Sequence, residues 1–291
     1  MKKKIVSLCL VVALAATAVI GGTLAYFTDT DEAENVFTFG NVDIIQRENQ
    51  RTLDGWKVVG DGAPVSDINK IETFEDDKNV FPAVLDKLTP KENVSVNGYD
   101  FTIRSLTGNY VDKIVNVYNN GTEKAYMRTI IAIPSMNGYD DSSNASENPL
   151  HWNYLDSTDF NGIGWDWNGS NDAEATEQKC YAQDVEIDGV KYDLYVATYN
   201  EAVASKSWTS PSMVGFYLDD DVNCDENGYF SMQNGKRIDL SNWMVPGSDG
   251  KVSMKILVAT QACQTAGFAN AWEALDECFE AITADNHPWA E

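Results

Sequence analysis

The hydrophobic positions of this chain fall into one unbroken run, then a series of alternating stretches, then a stripe at helical spacing. The run spans Ile5 to Ile20, follows Lys2, Lys3 and Lys4, and holds no charge. Gly21 and Gly22 break it, and Thr23-Leu24-Ala25 then puts small residues at the two positions a signal peptidase reads. A run of sixteen uncharged, mostly apolar residues is short for a bilayer, which needs about 20. Residues 1–25 therefore read as a secretory signal peptide cut after Ala25, leaving Tyr26 as the mature N-terminus.

Alternation begins soon afterwards. Between Asn35 and Ile45, Phe37 and Phe39 share one face while Val36, Val42 and Ile44 share the other, the period of a strand. Residues 46–109 are polar and mixed, with turn signals at Asp54-Gly55, Asp61-Gly62 and Asn97-Gly98 and breaks at Pro82 and Pro90. Val111, Lys113, Val115 and Val117 then alternate with Asp112, Ile114, Asn116 and Tyr118. Asn119-Asn120-Gly121 turns the chain, and Ala125 to Ile133 is expected to return as the second strand of a hairpin. Further strands are expected over Val185–Tyr199, turned at Asp188-Gly189, over Met213–Leu218, and over Lys251–Gln261. In the last of these Val252, Met254, Ile256 and Val258 share a face. Phe268, Trp272, Leu275, Phe279 and Ile282 are spaced by four, three, four and three residues, which predicts a C-terminal amphipathic helix laid on the sheets. The fold class is mostly β, an antiparallel β-sandwich with loop and helix excursions. Residues 26–291 form a single domain, with an insertion rich in Trp, Asn and Asp at about 135–183.

Composition sharpens where such a chain works. The 291 residues carry 21 Lys and Arg against 45 Asp and Glu. Loss of Lys2, Lys3 and Lys4 leaves 18, so the mature charge is 18 − 45 = −27. Such a field repels nucleic acid and anionic membrane, keeps the protein soluble and attracts divalent cations. The membrane is then met only in transit during export. Cys9 lies within the leader, and Cys180, Cys224, Cys263 and Cys278 remain as disulfide candidates. Four cysteines allow three pairings, between which sequence does not choose. Their wide spacing excludes a compact CxxC-type zinc site.

Catalytic motifs are missing. The chain has two histidines, His151 and His287, and no HExxH or GxSxG. Asp219, Asp221, Asn223 and Asp225 place oxygen ligands at alternate positions of an acidic loop, as a calcium site does. Cys224 stands where an EF-hand needs glycine, and Phe230 where it needs the bidentate glutamate, so a solvated turn is the competing reading. No cofactor is required; calcium is the one this loop would suit. Trp152, Trp165 and Trp167 suit either sugar stacking or packing of a long loop.

Two stretches of the N-terminal region carry a resemblance. Gly21-Gly22-Thr23-Leu24-Ala25-Tyr26-Phe27-Thr28-Asp29 and Asn35-Val36-Phe37-Thr38-Phe39-Gly40-Asn41-Val42-Asp43-Ile44 resemble the leader and first strand of the TasA/camelysin family. Val111–Val117 with Asn119-Asn120-Gly121 and Ala125-Tyr126-Met127-Arg128 is similar to that family's paired strands. Val252 through Gly267, Phe268 and Trp272 is similar to its closing strand and helix. The likeness touches about a third of the chain, and the cysteines depart from it. It implies a jelly-roll-like sandwich, cleavage by a SipW-type signal peptidase at Thr23, Ala25 and Tyr26, and secretion to the extracellular matrix or cell surface. It also implies assembly with itself or related matrix subunits into biofilm fibres. In these, the N-terminal segment of one subunit completes the sheet of the next, with Tyr26, Phe27, Phe37 and Phe39 as anchor candidates; Tyr26 to Glu34 is the exchanged part. The family also carries a metallopeptidase label, which no motif here supports. A surface adhesion or carbohydrate-binding module is the third reading.

Overall fold

The computed structural model describes residues 28–32, 42–50, 72–73, 91–104, 111–135, 150–169, 178–218, 222–225, 228–233, 236–240, 245–246 and 252–290. The expected leader with its expected cleavage site at Thr23 and Ala25, together with Tyr26, Phe27, Phe37, Phe39, Asp219 and Asp221, lies outside them.

Two antiparallel sheets stack face to face. The first runs in the order β1 (Thr28–Glu32), β18 (Leu257–Gln264), β7 (Ala125–Pro134), β11 (Val190–Tyr199), β10 (Cys180–Ile187), with β9 (Trp165–Asp166) also on β11. The second runs β3 (Glu72–Thr73), β2 (Ile44–Gln50), β6 (Val111–Asn119), β12 (Met213–Leu218), β8 (Leu150–Tyr154). Ile44, Val115, Val117, Met213 and Phe216 from one sheet meet Met127, Ile131, Ala197, Val258 and Ala262 from the other in a single buried cluster. Alternate residues of each strand face this layer, which is why the period-two pattern was visible in sequence. The expected mostly β, antiparallel sandwich is the observed architecture.

Smaller pieces surround it. β4 (Lys91–Val96) and β5 (Tyr99–Arg104) form a hairpin, turned by Asn97 and Gly98 at φ 52° and 87°, the left-handed pair that such a turn needs. It covers the outer face of the second sheet, where Val94, Val96, Phe101 and Ile103 pack on Ile114, Val214 and Tyr217. β13 (Val222–Asp225), β14 (Gly228–Gln233) and β15 (Lys236–Asp239) make a small sheet, and β16 (Val245–Pro246) pairs with β17 (Val252–Ser253). Among the described residues one α-helix, α1 (Ala271–Phe279), lies against β18 and β7.

Three expectations change. The strands flanking Asn119-Asn120-Gly121 do not pair with each other: β6 belongs to one sheet and β7 to the other. The turn is a crossing between layers, held by side chains. Asn119 Nδ2 donates to the carbonyls of Glu123 and Val203 at 2.8 and 2.9 Å, and Gly121 N–H donates to the Asp43 carbonyl at 2.9 Å. The last strand is interrupted, since β17 pairs with β16 while β18 starts at Leu257 and pairs with β7 and β1. Met254, Ile256 and Val258 stay buried across the break, so the alternation survives a change of partner. The helix is shorter than its apolar stripe. Asn270 caps its start, accepting from Glu273 N–H at 2.9 Å, and Glu280 at φ 62° ends it. Phe268 and Ile282 therefore pack from the flanking turns.

Candidate functional site: the edge formed by β1 and β18

β18 is flanked on one side by β7 and on the other by β1, the terminal strand of its sheet. β1 pairs antiparallel over its whole length, from Thr28 opposite Cys263 to Glu32 opposite Ala259. Its sequence, Thr-Asp-Thr-Asp-Glu, has three acids in five residues. Such a strand contributes a hydrogen-bond ladder rather than an apolar face, and a sheet edge accepts a ladder from any extended chain. Thr28–Glu32, the described part of the segment that the family resemblance marks for exchange, is thus seated on β18 of the same chain.

Behind that edge a chain of polar groups crosses between the sheets. Lys113 Nζ donates to Glu48 Oε2. Gln46 Nε2 donates to Glu48 Oε1 and to the Val258 carbonyl, both at 3.2 Å. Thr260 Oγ1 donates to Gln46 Oε1 at 2.7 Å, leaving the Thr129 hydroxyl to donate to Thr260 at 3.1 Å. Lys113, Gln46, Thr129 and Thr260 are all buried, and burying such groups unpaired would be costly. Paired in series, they lock β2 and β6 to β18 and β7 and so hold the edge in one register. The sequence held a signal for this: Lys113 occupies the same face as Val115 and Val117.

The outer face of β18 is anchored as well. Arg128, only 3% exposed, donates from Nε to Gln261 Oε1 at 2.7 Å, from Nη1 to Asp276 Oδ1 at 2.8 Å and from Nη2 to the Glu280 carbonyl at 2.7 Å. Burial pulls its guanidinium below the usual value and Asp276 pushes it back. The planar fork suits three partners at once. It fastens β7, β18 and α1 together, and nothing in the sequence but a cation within an apolar strand announced it.

The remaining candidates fall in several places. Asn223 and Asp225 sit on β13, opposite Phe230 and Gly228, where a loop was expected; Asp219 and Asp221, the other two calcium candidates, lie outside the described residues. Trp165 and Trp167 are buried in the main core. Their indole N–H groups donate to the Ser210 and Leu155 carbonyls at 2.7 and 2.9 Å. Trp152 packs edge-on to Trp167 at 5.3 Å and beside Tyr195 at 5.4 Å. The Trp-rich tract thus supplies β8 and β9 to the two sheets, and its aromatic faces are spent on packing. Cys263 and Cys278 lie together, whereas Cys180 is on β10, at the opposite end of its sheet, and Cys224 is on β13.

The fold defines an antiparallel β-sandwich whose N-terminal strand closes one sheet edge. Residues 1–53 match the family model described as camelysin metallo-endopeptidase, in agreement with the TasA/camelysin resemblance of the same residues. That span holds residues 1–25, β1 and all of β2. No curated protein and no solved structure matches the chain. Camelysin-family proteins are extracellular or on the cell surface, and among the described residues no helix is long and apolar enough to cross a membrane. The family name implies a metal. Among the described residues no three His, Cys, Asp or Glu side chains group to hold one. His151 stacks on Tyr217 at 5.1 Å. His287 accepts from Trp289 N–H at its Nδ1 at 3.2 Å, and burial lowers its pKa. Neither histidine belongs to a group of three donors among the described residues.

Proposed function

We propose that this chain is a secreted protein of the extracellular matrix or cell surface that assembles with copies of itself. In this reading a signal peptidase of the SipW type cuts after Ala25, and β1 leaves its own edge to pair with β18 of the next copy. The observation that carries it is the position of β1: an edge strand, next to the leader, held by one neighbour in the described structure. Exchange conserves the ladder, since each bond broken within a copy is remade between copies, so concentration and charge set the balance. Each copy in a row gives one strand and takes one, and the contact propagates instead of closing. The mature charge of −27 opposes it. Salt screens that repulsion beyond about 8 Å at physiological strength, and calcium or mild acid would neutralise carboxylates.

Electron microscopy of the cleaved protein tests the reading. Filaments are expected, and more of them with calcium, added salt or mild acid. Removing Tyr26–Glu34 is expected to abolish them while the monomer stays folded; undiminished polymer in that variant would refute the mechanism. The family label favours a second reading, a metallopeptidase. Casein cleavage by the pure protein, lost on adding a chelator, would place it first.

A further inference from the structure

Cys263 ends the outer-facing row of β18, and its side chain is buried among Ala271, Ala274 and Leu275 of α1. Along the helix, positions 271, 274, 275 and 278 form one stripe, because residues three and four apart share a face. Cys278 therefore continues the face that Leu275 turns toward β18, and it packs on the same cluster. The two alanines let helix and strand approach closely. The two thiols thus pack in one cluster, between the end of β18 and the last turn of α1. Both are free in this structure. The other described thiol, Cys180, donates to the Ala182 carbonyl at 3.2 Å within its own strand.

We propose that Cys263 and Cys278 form a disulfide that staples α1 to β18, made by exchange with a small-molecule or protein disulfide outside the cytosol. The chemistry runs in two displacements. Cys278, the less buried thiol, loses its proton to solvent and its thiolate attacks one sulfur of the oxidant, whose second sulfur leaves as a thiolate. Cys263, deprotonated in turn, attacks Cys278 Sγ. The mixed disulfide breaks, the oxidant sulfur that Cys278 first attacked leaves as the second thiolate, and the oxidant is reduced to two thiols as the protein loses two hydrogens. Burial raises both thiols above their usual range, so closure is slow without a catalyst and faster in base. The ring joins residues 15 apart (278 − 263) and constrains the unfolded chain. The staple lies behind the strand that receives β1, so it stiffens the acceptor without occupying its edge. Meeting an oxidant rests on the export reading above; the pairing itself rests on geometry alone.

The test uses the full chain, incubated with oxidised glutathione, then denatured and alkylated. No Lys or Arg follows Lys255, so trypsin leaves both cysteines in one peptide, and a protease cutting at Glu273 and Glu277 separates them. The expected product is a Cys263 peptide joined to a Cys278 peptide. Reduction should lower Tm by roughly 5–10 °C. Cys278→Ala should start from that lower Tm and ignore reductant, while Cys180→Ala should keep the full shift. Alkylation of both thiols after oxidation overturns the pairing, as does linkage of either to Cys180 or Cys224, or a redox shift that persists in Cys278→Ala. Closure in the tube by a protein never recovered outside the cell would sink the export reading and leave the pairing standing.

Discussion

β7 and β1 are the two neighbours of β18, and they hold it by different means. β7 is buried on both faces. Met127, Ile131 and Ile133 enter the core between the sheets, while Ile130 and Ala132 meet Val185, Ile187, Leu194, Val196 and Ile282 outside. Side-chain bonds add to its ladder, from Thr129 to Thr260 on one face and from Arg128 to Gln261 on the other. β1 pairs over five residues, three of them acidic. A ladder can be handed to another copy with little change in free energy, whereas an interdigitated apolar face cannot. The same sheet thus contains one joint held by packing on both faces and one edge joint, which the proposed assembly would transfer.

The comparison can be broken at its strong side first. Ile131→Ala empties a fully buried position and is expected to lose about 3 kcal/mol in urea unfolding. A loss under about 1 kcal/mol would mean that the layer collapses to refill the site, and that β7 is not held by packing. Arg128→Ala frees three acceptors, but its carboxylate partner Asp276 is 59% exposed and can return to water. A loss of about 2 kcal/mol is expected, against less than about 1 for Asp276→Ala. Equal losses would show that the ion pair, rather than the buried fork, carries the anchor.

The weak side is read by hydrogen exchange. Amides of Thr28–Glu32 should exchange at least about 100-fold faster than those of Ile130–Ile133, since an edge opens without disturbing the core. Comparable protection would argue that β1 is as fixed as β7 and would weaken the exchange mechanism. The smallest effect concerns acid. Burial raises the Asp166 carboxyl above its usual value, against hydrogen bonds from Ser157 and Asn200. The folded state then holds this proton more tightly than the unfolded chain. Its contribution to stability therefore falls as pH rises from about 3.9 through the raised folded value, and the penalty persists at neutral pH. Asp166→Asn keeps an acceptor for Ser157 and removes the charge. A gain below about 0.5 kcal/mol at pH 7 is expected, because water screens a half-buried group, along with a flatter stability profile in mild acid. A loss at pH 7 would show that the charge is needed where it sits.

Local patterns placed several elements correctly. Met213–Leu218 matches β12 residue for residue, and the Asp188-Gly189 turn joins β10 to β11. Both follow from alternation and from a left-handed turn pair at φ 50° and 77°, which depend on neighbours in sequence. The Trp-rich tract was less legible. Its polar composition reads as a loop, yet Leu150–Tyr154 adds a strand beside β12 and Trp165 enters the core; short strands with one buried residue have no period to detect. The polar chain from Lys113 to Thr129 joins residues far apart in sequence, so only Lys113 on an apolar face pointed toward it.

By itself the sequence determined the basic, apolar and small-residue order of residues 1–25, the strong negative charge, the β character and the apolar stripe of the last helix. Each is a property of composition or of short-range spacing. Tertiary structure alone decided that β6 and β7 part into different sheets, that β1 seats on β18, and that Cys263 meets Cys278 rather than Cys180. Those outcomes turn on which surfaces bury one another in the folded chain, and a pairing such as Thr28 with Cys263 leaves no trace in the spacing of either partner.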